Sequence, residues 1–200
     1  MGINGAYQLM NRINAVFLDR DGTINYEKNY VHKIDDFELI PGTLEALRLL
    51  TDSNIKIYII TNQAGIARGY YTEEQFHDLT QYMLGCFDKI ECKIEKVLYC
   101  PHHPDGTIPE YTRKCQCRKP GTKLIEEVMN NEKLNANEIA IVGDRDSDIE
   151  AGLRLGLTTY LVLTGYGSEH QHDTKADYIK PDMLSAIKHL LENSDSVNMT

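Results

Sequence analysis

Four short stretches of this 200-residue sequence hold residue types that do chemistry. Asp19-Arg20-Asp21-Gly22-Thr23 sets two carboxylates two residues apart, and Thr61-Asn62-Gln63 offers a hydroxyl and two amides. Arg118-Lys119-Pro120 brings two cations, and Gly143-Asp144-Arg145-Asp146-Ser147-Asp148 brings further carboxylates. Brought together, Asp19, Asp21, Asp144 and Asp148 would repel one another, so such a cluster needs a cation. Oxygen donors of this kind select a hard ion, and Mg²⁺ is the expected one. A lysine and a threonine hydroxyl beside carboxylate-bound Mg²⁺ suit a phosphoryl group, whose equatorial oxygens need positive charge and donors in the transition state.

A second constellation is Cys100-x-His102 with Cys115-x-Cys117. Three thiolates and an imidazole form a soft, tetrahedral, closed set suited to Zn²⁺, with no position left for water, which makes the site structural. His103 is the alternative to His102. Five cysteines, three of them in one loop, fit a metal site in a reducing compartment better than a disulfide framework. Cys86 and Cys92 read as small packing residues. His32, His77, His170, His172 and His189 show no ligand spacing to one another and read as solvated.

Each motif alone has an ordinary structural reading. Asp-Gly after a strand is a common turn, and Asp146 or Ser147 is expected to cap the helix that follows it. What gives the motifs weight is placement. Strands are expected at Ala15–Leu18, Ile55–Ile60, Ile94–Tyr99, Ile139–Val142 and Thr158–Leu163, alternating with helical periodicity, the pattern of a mostly parallel sheet covered by helices. Ligands of such a sheet gather beyond the carboxyl ends of its strands, and each motif follows a strand. The helices expected between them carry apolar positions Leu44, Leu47 and Leu50; Phe76, Leu79, Met83 and Phe87; Leu124, Ile125, Val128 and Met129; and Ile149, Leu153 and Leu155. Thr72 and Gln75 form a capping box before the second of these. A closing helix is expected over about Met183–Leu191.

The formal charge of −9 argues against a nucleic-acid partner. With 42% hydrophobic and 26% charged residues the composition is that of a globular chain with one sizeable core. The longest apolar runs are strand-sized, far below the roughly 20 residues of a membrane span, and Met1–Arg12 lacks the order of a signal peptide. The expectation is a cytoplasmic single domain over 1–200, with an N-terminal extension at 1–12, a zinc loop at 100–120 and a flexible tail at 193–200.

Taken in order, Asp-x-Asp-Gly-Thr, Thr-Asn, the downstream lysine and Gly-Asp-x-x-x-Asp resemble the four motifs of the haloacid dehalogenase-like (HAD) phosphohydrolases. Longer stretches, Asp19–Asn25, Thr61–Gly69, Cys100–Pro104 and Cys115–Pro120, resemble the D-glycero-D-manno-heptose 1,7-bisphosphate phosphatases, a group related to the histidinol-phosphate phosphatases. The resemblance runs from about Ala15 to Gly167.

It implies an α/β, Rossmann-like doubly wound fold with no large cap domain. It further implies Asp19 as nucleophile and Asp21 as acid and base, with Mg²⁺ held by Asp19, the Asp21 carbonyl and Asp144, and with Asp148 supporting the metal shell or Lys119. Thr61, Asn62 and Lys119 would hold the phosphoryl group. Arg118, Arg145 and the stretch Glu27, Lys28, Asn29 and Tyr30 would meet the substrate. The implied reaction is removal of the C7 phosphate through an aspartyl-phosphate, within nucleotide-activated heptose biosynthesis for lipopolysaccharide core or surface glycan. The partner would be a small phosphorylated sugar, with no membrane involved, and the chain a monomer. Histidinol-phosphate hydrolysis is the alternative activity, and a catalytically idle phosphosugar-binding protein the alternative of another class.

Overall fold

A computed structural model describes residues 12–195. The β-branched runs fold as six strands: β1 (Ala15–Leu18), β2 (Lys56–Asn62), β3 (Ile94–Cys100), β4 (Ile139–Gly143), β5 (Thr158–Val162) and β6 (Tyr178–Lys180). They form one sheet in the order β3-β2-β1-β4-β5-β6, and every pairing is parallel. The helices are α1 (Thr43–Asp52), α2 (Ala64–Ala67), α3 (Glu73–Asp88), α4 (Lys123–Glu132), α5 (Asp146–Leu155), α6 (Gly167–His170) and α7 (Met183–Asp195). Both sheet faces are covered, which is why the central strands read as continuous apolar runs rather than alternating ones.

Alternate strand residues divide the core in two. Val16, Leu18, Ile57, Ile59, Ala140 and Val142 pack with Leu47 and Leu50 of α1, Met83 and Phe87 of α3 and Ile187 of α7. Their sequence neighbours Ala15, Phe17, Tyr58, Ile60, Ile139 and Ile141 face the other way, against Ile125 and Val128 of α4 and Ala151 of α5. The strand order reverses at β1, which lies between β2 and β4, so the crevice of this doubly wound sheet opens above β1 and β4. The capping box at the start of α3 is present, with the Gln75 N–H donating to Thr72 Oγ1 at 3.2 Å and the Thr72 N–H to Gln75 Oε1 at 2.9 Å. Among the described residues, 19–42 hold only a 3₁₀ turn, Ile34–Asp36, and 63–72 only the single turn α2, so neither holds a cap domain. No helix there is long and apolar enough to cross a membrane.

Several expectations shift. Strand β6 was not anticipated, because three half-exposed residues carry no readable pattern; it is held where the Leu163 N–H donates to the Lys180 carbonyl at 2.9 Å. Leu44 is exposed, not inward. The Thr43 hydroxyl donates to the buried Ile24 carbonyl at 2.9 Å, which turns the inward stripe of α1 to Thr43, Ala46, Leu47 and Leu50. Leu153 is exposed as well. The buried line of α5 runs through Asp148, Ile149, Ala151 and Gly152, and a Cβ on Gly152 would stand 2.4 Å from Ile141 Cγ2. Helix α7 continues to Asp195, into the segment read as tail. Residues 1–11 and 196–200 lie outside the described residues.

Candidate active site

Asp19 extends the ladder of β1, its N–H donating to the Val142 carbonyl at 2.9 Å, and Asp144 is the first residue past β4. Adjacent strand ends therefore bring two carboxylates together, and Asp148, in the first turn of α5, supplies a third. One carboxylate oxygen from each of Asp19, Asp144 and Asp148 lies within 4.8 Å of the others. Lys119 reaches the cluster from the loop after β3. Its ammonium donates to Asp19 Oδ1 at 2.5 Å and to the Ile60 carbonyl at 2.6 Å, and stands 2.6 Å from Asp148 Oδ1. All four residues are buried. Burial alone would lower the lysine's pKa, yet Asp148 and Asp19 hold it above its ordinary value.

The carboxylates themselves are short of positive charge. Burial pushes Asp19 up to about 7, with repulsion from Asp148 adding to it and Lys119 opposing. Asp144 rises to about 8, through burial first and then repulsion from Asp19 and Asp148. Asp144 Oδ2 accepts the Tyr166 N–H at 2.8 Å, whereas Oδ1 is buried with no hydrogen-bond partner among the described residues. Room for Asp144 depends on Gly22, at φ +86°, where a Cβ would stand 2.2 Å from Asp144 Oδ2. An orphaned buried oxygen in a cluster of like charges fits a divalent cation with oxygen ligands, as Mg²⁺ is.

Asp21 has a different setting. Its carboxylate accepts from Arg20 Nη2 at 2.7 Å, Asn25 Nδ2 at 3.0 Å and Gln63 Nε2 at 3.0 Å, and its side chain keeps 16% exposure toward the cavity it lines. Gln63 also donates to Thr61 Oγ1 at 2.7 Å and accepts from the Tyr71 hydroxyl at 2.5 Å. The Asn62 side chain clasps the backbone of Lys119, donating to its carbonyl and accepting its N–H, both at 3.0 Å.

These groups line one end of a cavity of 470 Å³, within the roughly 300–1,000 Å³ usual for small-molecule sites. Of the residues expected at the substrate, Glu27, Asn29, Tyr30, Thr61, Asn62, Arg118, Lys119 and Arg145 line it. Lys28 does not. Asn29 and Tyr30 take left-handed conformations, φ 58° and 64°, and the Lys28 ammonium pairs with Glu38 at 2.9 Å instead. The Arg145 guanidinium lies 3.8 Å over the Tyr166 ring and 3.6 Å from Glu27 Oε2. The cap of α5 is also corrected: Asp148 Oδ2 accepts the Arg145 N–H at 3.0 Å, so neither Asp146 nor Ser147 supplies it.

Beyond β3, the sulfurs of Cys100, Cys115 and Cys117 lie 3.2–3.5 Å apart. His102 Nδ1 is 3.6 Å from Cys100 Sγ and 3.3 Å from Cys117 Sγ. Zn–S bonds near 2.3 Å imply ligand separations of about 3.8 Å at a tetrahedral ion, so the four residues fit zinc with small outward shifts. His103 stands outside this set and turns into the cavity.

The HAD-hydrolase-like family model matches residues 116–191. The chain is 44% identical over 157 residues to the D-glycero-alpha-D-manno-heptose-1,7-bisphosphate 7-phosphatase of Photorhabdus laumondii, covering 78% of this chain and 86% of that one. It is 37% identical over 180 residues to the beta-anomer 7-phosphatase of Escherichia coli K12, covering 88% and 94%. This chain belongs to the HAD-like heptose-bisphosphate phosphatase family. A solved member, from B. bronchiseptica and complexed with magnesium and phosphate, superposes at TM-score 0.82 with 26% identity over 90% of this chain and 99% of that one.

Reading the sequence alone leaves part of the family's site unseen. Arg20, Asn25 and Gln63 hold Asp21, yet no role for them shows in the motifs that contain them. The signal lay in strand alternation: a residue between two carboxylates that face a cleft must point the other way, into the core. A buried Arg20 must then find acceptors, here Asp21 and the Val31 carbonyl. Arg68, His103 and Tyr166 also line the cavity without having been anticipated there.

Proposed function

We propose that this chain hydrolyses the C7 phosphate of D-glycero-D-manno-heptose 1,7-bisphosphate. The observation that carries the reading is the contrast between the two carboxylates at one end of the cavity. Asp19 faces Lys119 and the acidic cluster, as a nucleophile toward a phosphorus must. Asp21 is fixed by three neighbours, with an exposed edge, as a proton carrier must be.

Asp19 Oδ attacks phosphorus and the bond to the C7 oxygen breaks, giving an aspartyl-phosphate. Asp21 gives its proton to the departing oxygen. In the second half it takes a proton from the water that attacks phosphorus, and phosphate leaves with Asp19 restored. The Thr61 hydroxyl and the Asn62 backbone N–H hold phosphoryl oxygens, and Lys119 offsets the charge gathered there. Asp19, the Asp21 carbonyl and Asp144 would hold Mg²⁺, which would supply positive charge to offset that of the nucleophile and the phosphoryl group. Glu27, Asn29, Tyr30, Arg118 and Arg145 line the rest of the cavity and meet the sugar.

The product keeps its anomeric phosphate, the group a nucleotidyl transfer to heptose needs, which supports a place in nucleotide-activated heptose synthesis. Three zinc-binding thiols persist where disulfides do not form, which supports a cytoplasmic setting. The test is phosphate release from both anomers of the bisphosphate, histidinol phosphate and fructose 1,6-bisphosphate. The expected result is kcat/KM at least about tenfold higher for a heptose bisphosphate than for either other substrate; preference for histidinol phosphate would overturn the reading.

A further inference from the structure

The side of the cavity built from the loops after β4 and β5 contains an aromatic ring that the chemistry does not use. Tyr166 lies four residues past β5, and the Arg145 guanidinium rests 3.8 Å from the centre of its ring. Both residues line the cavity, as does Glu27, whose Oε2 stands 3.6 Å from Arg145 Nη2. That separation exceeds a hydrogen bond, so the Glu27 contact does not by itself fix the guanidinium. The Arg145 side chain keeps 44% exposure. An unrestrained arginine in that setting samples several rotamers and gives them up when substrate binds, which weakens binding. An aromatic face beneath the guanidinium restricts it beforehand.

The ring is itself held from behind. The Tyr166 N–H donates to Asp144 Oδ2 at 2.8 Å, and the Gly167 N–H closes the turn on the Thr164 carbonyl at 3.0 Å. The Thr164 hydroxyl donates to the Gly22 carbonyl at 2.5 Å. Gly165, at φ +55°, lets this turn lie against the loop after β1, since a Cβ there would stand 2.7 Å from Gly22 Cα.

The residues around the guanidinium are fixed as well. The Arg145 N–H donates to Asp148 Oδ2 at 3.0 Å, and Glu27 Oε1 accepts the Asn29 N–H at 2.7 Å. Between these anchored points the Arg145 side chain is the long rotatable piece, and the Tyr166 ring is the surface it lies on.

We propose that Tyr166 is a positioning residue for substrate: its ring holds the Arg145 guanidinium beside Glu27 before the sugar arrives, and so sets selectivity for the polyhydroxyl substrate. This deepens the heptose-bisphosphate reading and rests on it. With the guanidinium held, one sugar hydroxyl can accept from Arg145 and donate to Glu27 at ordinary hydrogen-bond distances. The ring stays clear of the reacting atoms in this role, so its effect falls on binding rather than on the chemical step.

The experiment measures kcat and KM for D-glycero-D-manno-heptose 1,7-bisphosphate and for p-nitrophenyl phosphate in the wild type, Tyr166→Leu, Tyr166→Phe, Arg145→Gln and the double variant Arg145→Gln with Tyr166→Leu. All retain the backbone N–H that meets Asp144. Tyr166→Leu is expected to raise KM for the bisphosphate by about 3- to 30-fold, and KM for p-nitrophenyl phosphate by less. Tyr166→Phe, which keeps the aromatic face, stays within about twofold of the wild type. Because Tyr166 acts through Arg145, Tyr166→Leu adds less than about twofold in the Arg145→Gln background. Folding is checked by circular dichroism, and should Tyr166→Leu unfold, Tyr166→Met decides. An unchanged KM in the folded leucine or methionine variant overturns the proposal. So does a phenylalanine variant as impaired as leucine, an equal loss on both substrates, or an undiminished effect in the Arg145→Gln background. A wild type that does not hydrolyse the heptose bisphosphate overturns the parent reading instead.

Discussion

Asp148→Asn isolates how Lys119 is held. The wild-type carboxylate faces two donors at once, the Lys119 ammonium 2.6 Å from Oδ1 and the Arg145 N–H 3.0 Å from Oδ2. Asparagine has one acceptor oxygen, so whichever way the amide turns, its NH₂ confronts a donor in a site where the side chain is only 1% exposed. Turned toward Lys119, it removes the short ion pair with the ammonium, about 1.5–3 kcal/mol for a buried charged contact; turned the other way, it removes the cap of α5, about 0.5–2 kcal/mol. Taking the larger loss, and about 2–4 °C per kcal/mol for a domain of this size, the melting temperature falls by roughly 3–12 °C. Lys119 then has Asp19 as its sole carboxylate partner and damps the nucleophile, so kcat/KM falls by about 10- to 100-fold. Calorimetry and phosphate release, both with Mg²⁺ and zinc in excess, read the two effects. Gly143→Ala is the companion: its Cβ would stand 2.4 Å from that of Asp148, so it should cut activity without altering any charge. A melting temperature within 1 °C and activity within twofold for Asp148→Asn would refute the holding role.

Gln63→Leu leaves Asp21, Thr61 and the Tyr71 hydroxyl each short of a partner. It should cost about 2–4 kcal/mol in urea unfolding and lower kcat, and an unchanged kcat would separate Gln63 from the chemistry. Dialysis against a chelator should remove Mg²⁺ and activity while elemental analysis still finds zinc; activity that persists without Mg²⁺ would contradict the carboxylate site. Cys115→Ser should lose zinc and harm the bisphosphate more than p-nitrophenyl phosphate. Arg68, His103 and Arg118 sit on or against the zinc loop, whereas Lys119 keeps the Asn62 clasp. Equal losses on both substrates would show that the loop serves stability alone.

The central strands, Asp19, Thr61, Lys119 and Asp144 were legible because the carboxyl ends of parallel strands converge whatever the packing details. The thiol set was legible too, although the choice of His102 over His103 needed geometry. Helix rotation was not: Leu44 and Leu153 obey the period, but the Thr43 hydroxyl and the close approach at Gly152 set which stripe turns inward. Lys28 was placed at the substrate by the family resemblance over Glu27–Tyr30, whereas its ammonium pairs with Glu38 outside the cavity, beside two left-handed residues. The contacts of Arg68 and His103 join residues 35 apart, beyond the reach of any local pattern.

The central claim is that Asp19 attacks the C7 phosphorus of a heptose bisphosphate. Its most direct test follows phosphorus NMR signals of both bisphosphate anomers with Mg²⁺, using the wild type and Asp19→Asn at equal concentration, both shown to be folded. The account predicts loss of the C7 phosphate signal with the C1 signal retained, and no turnover by Asp19→Asn. Release of the C1 phosphate first, or turnover by Asp19→Asn within about tenfold of the wild type, would contradict it.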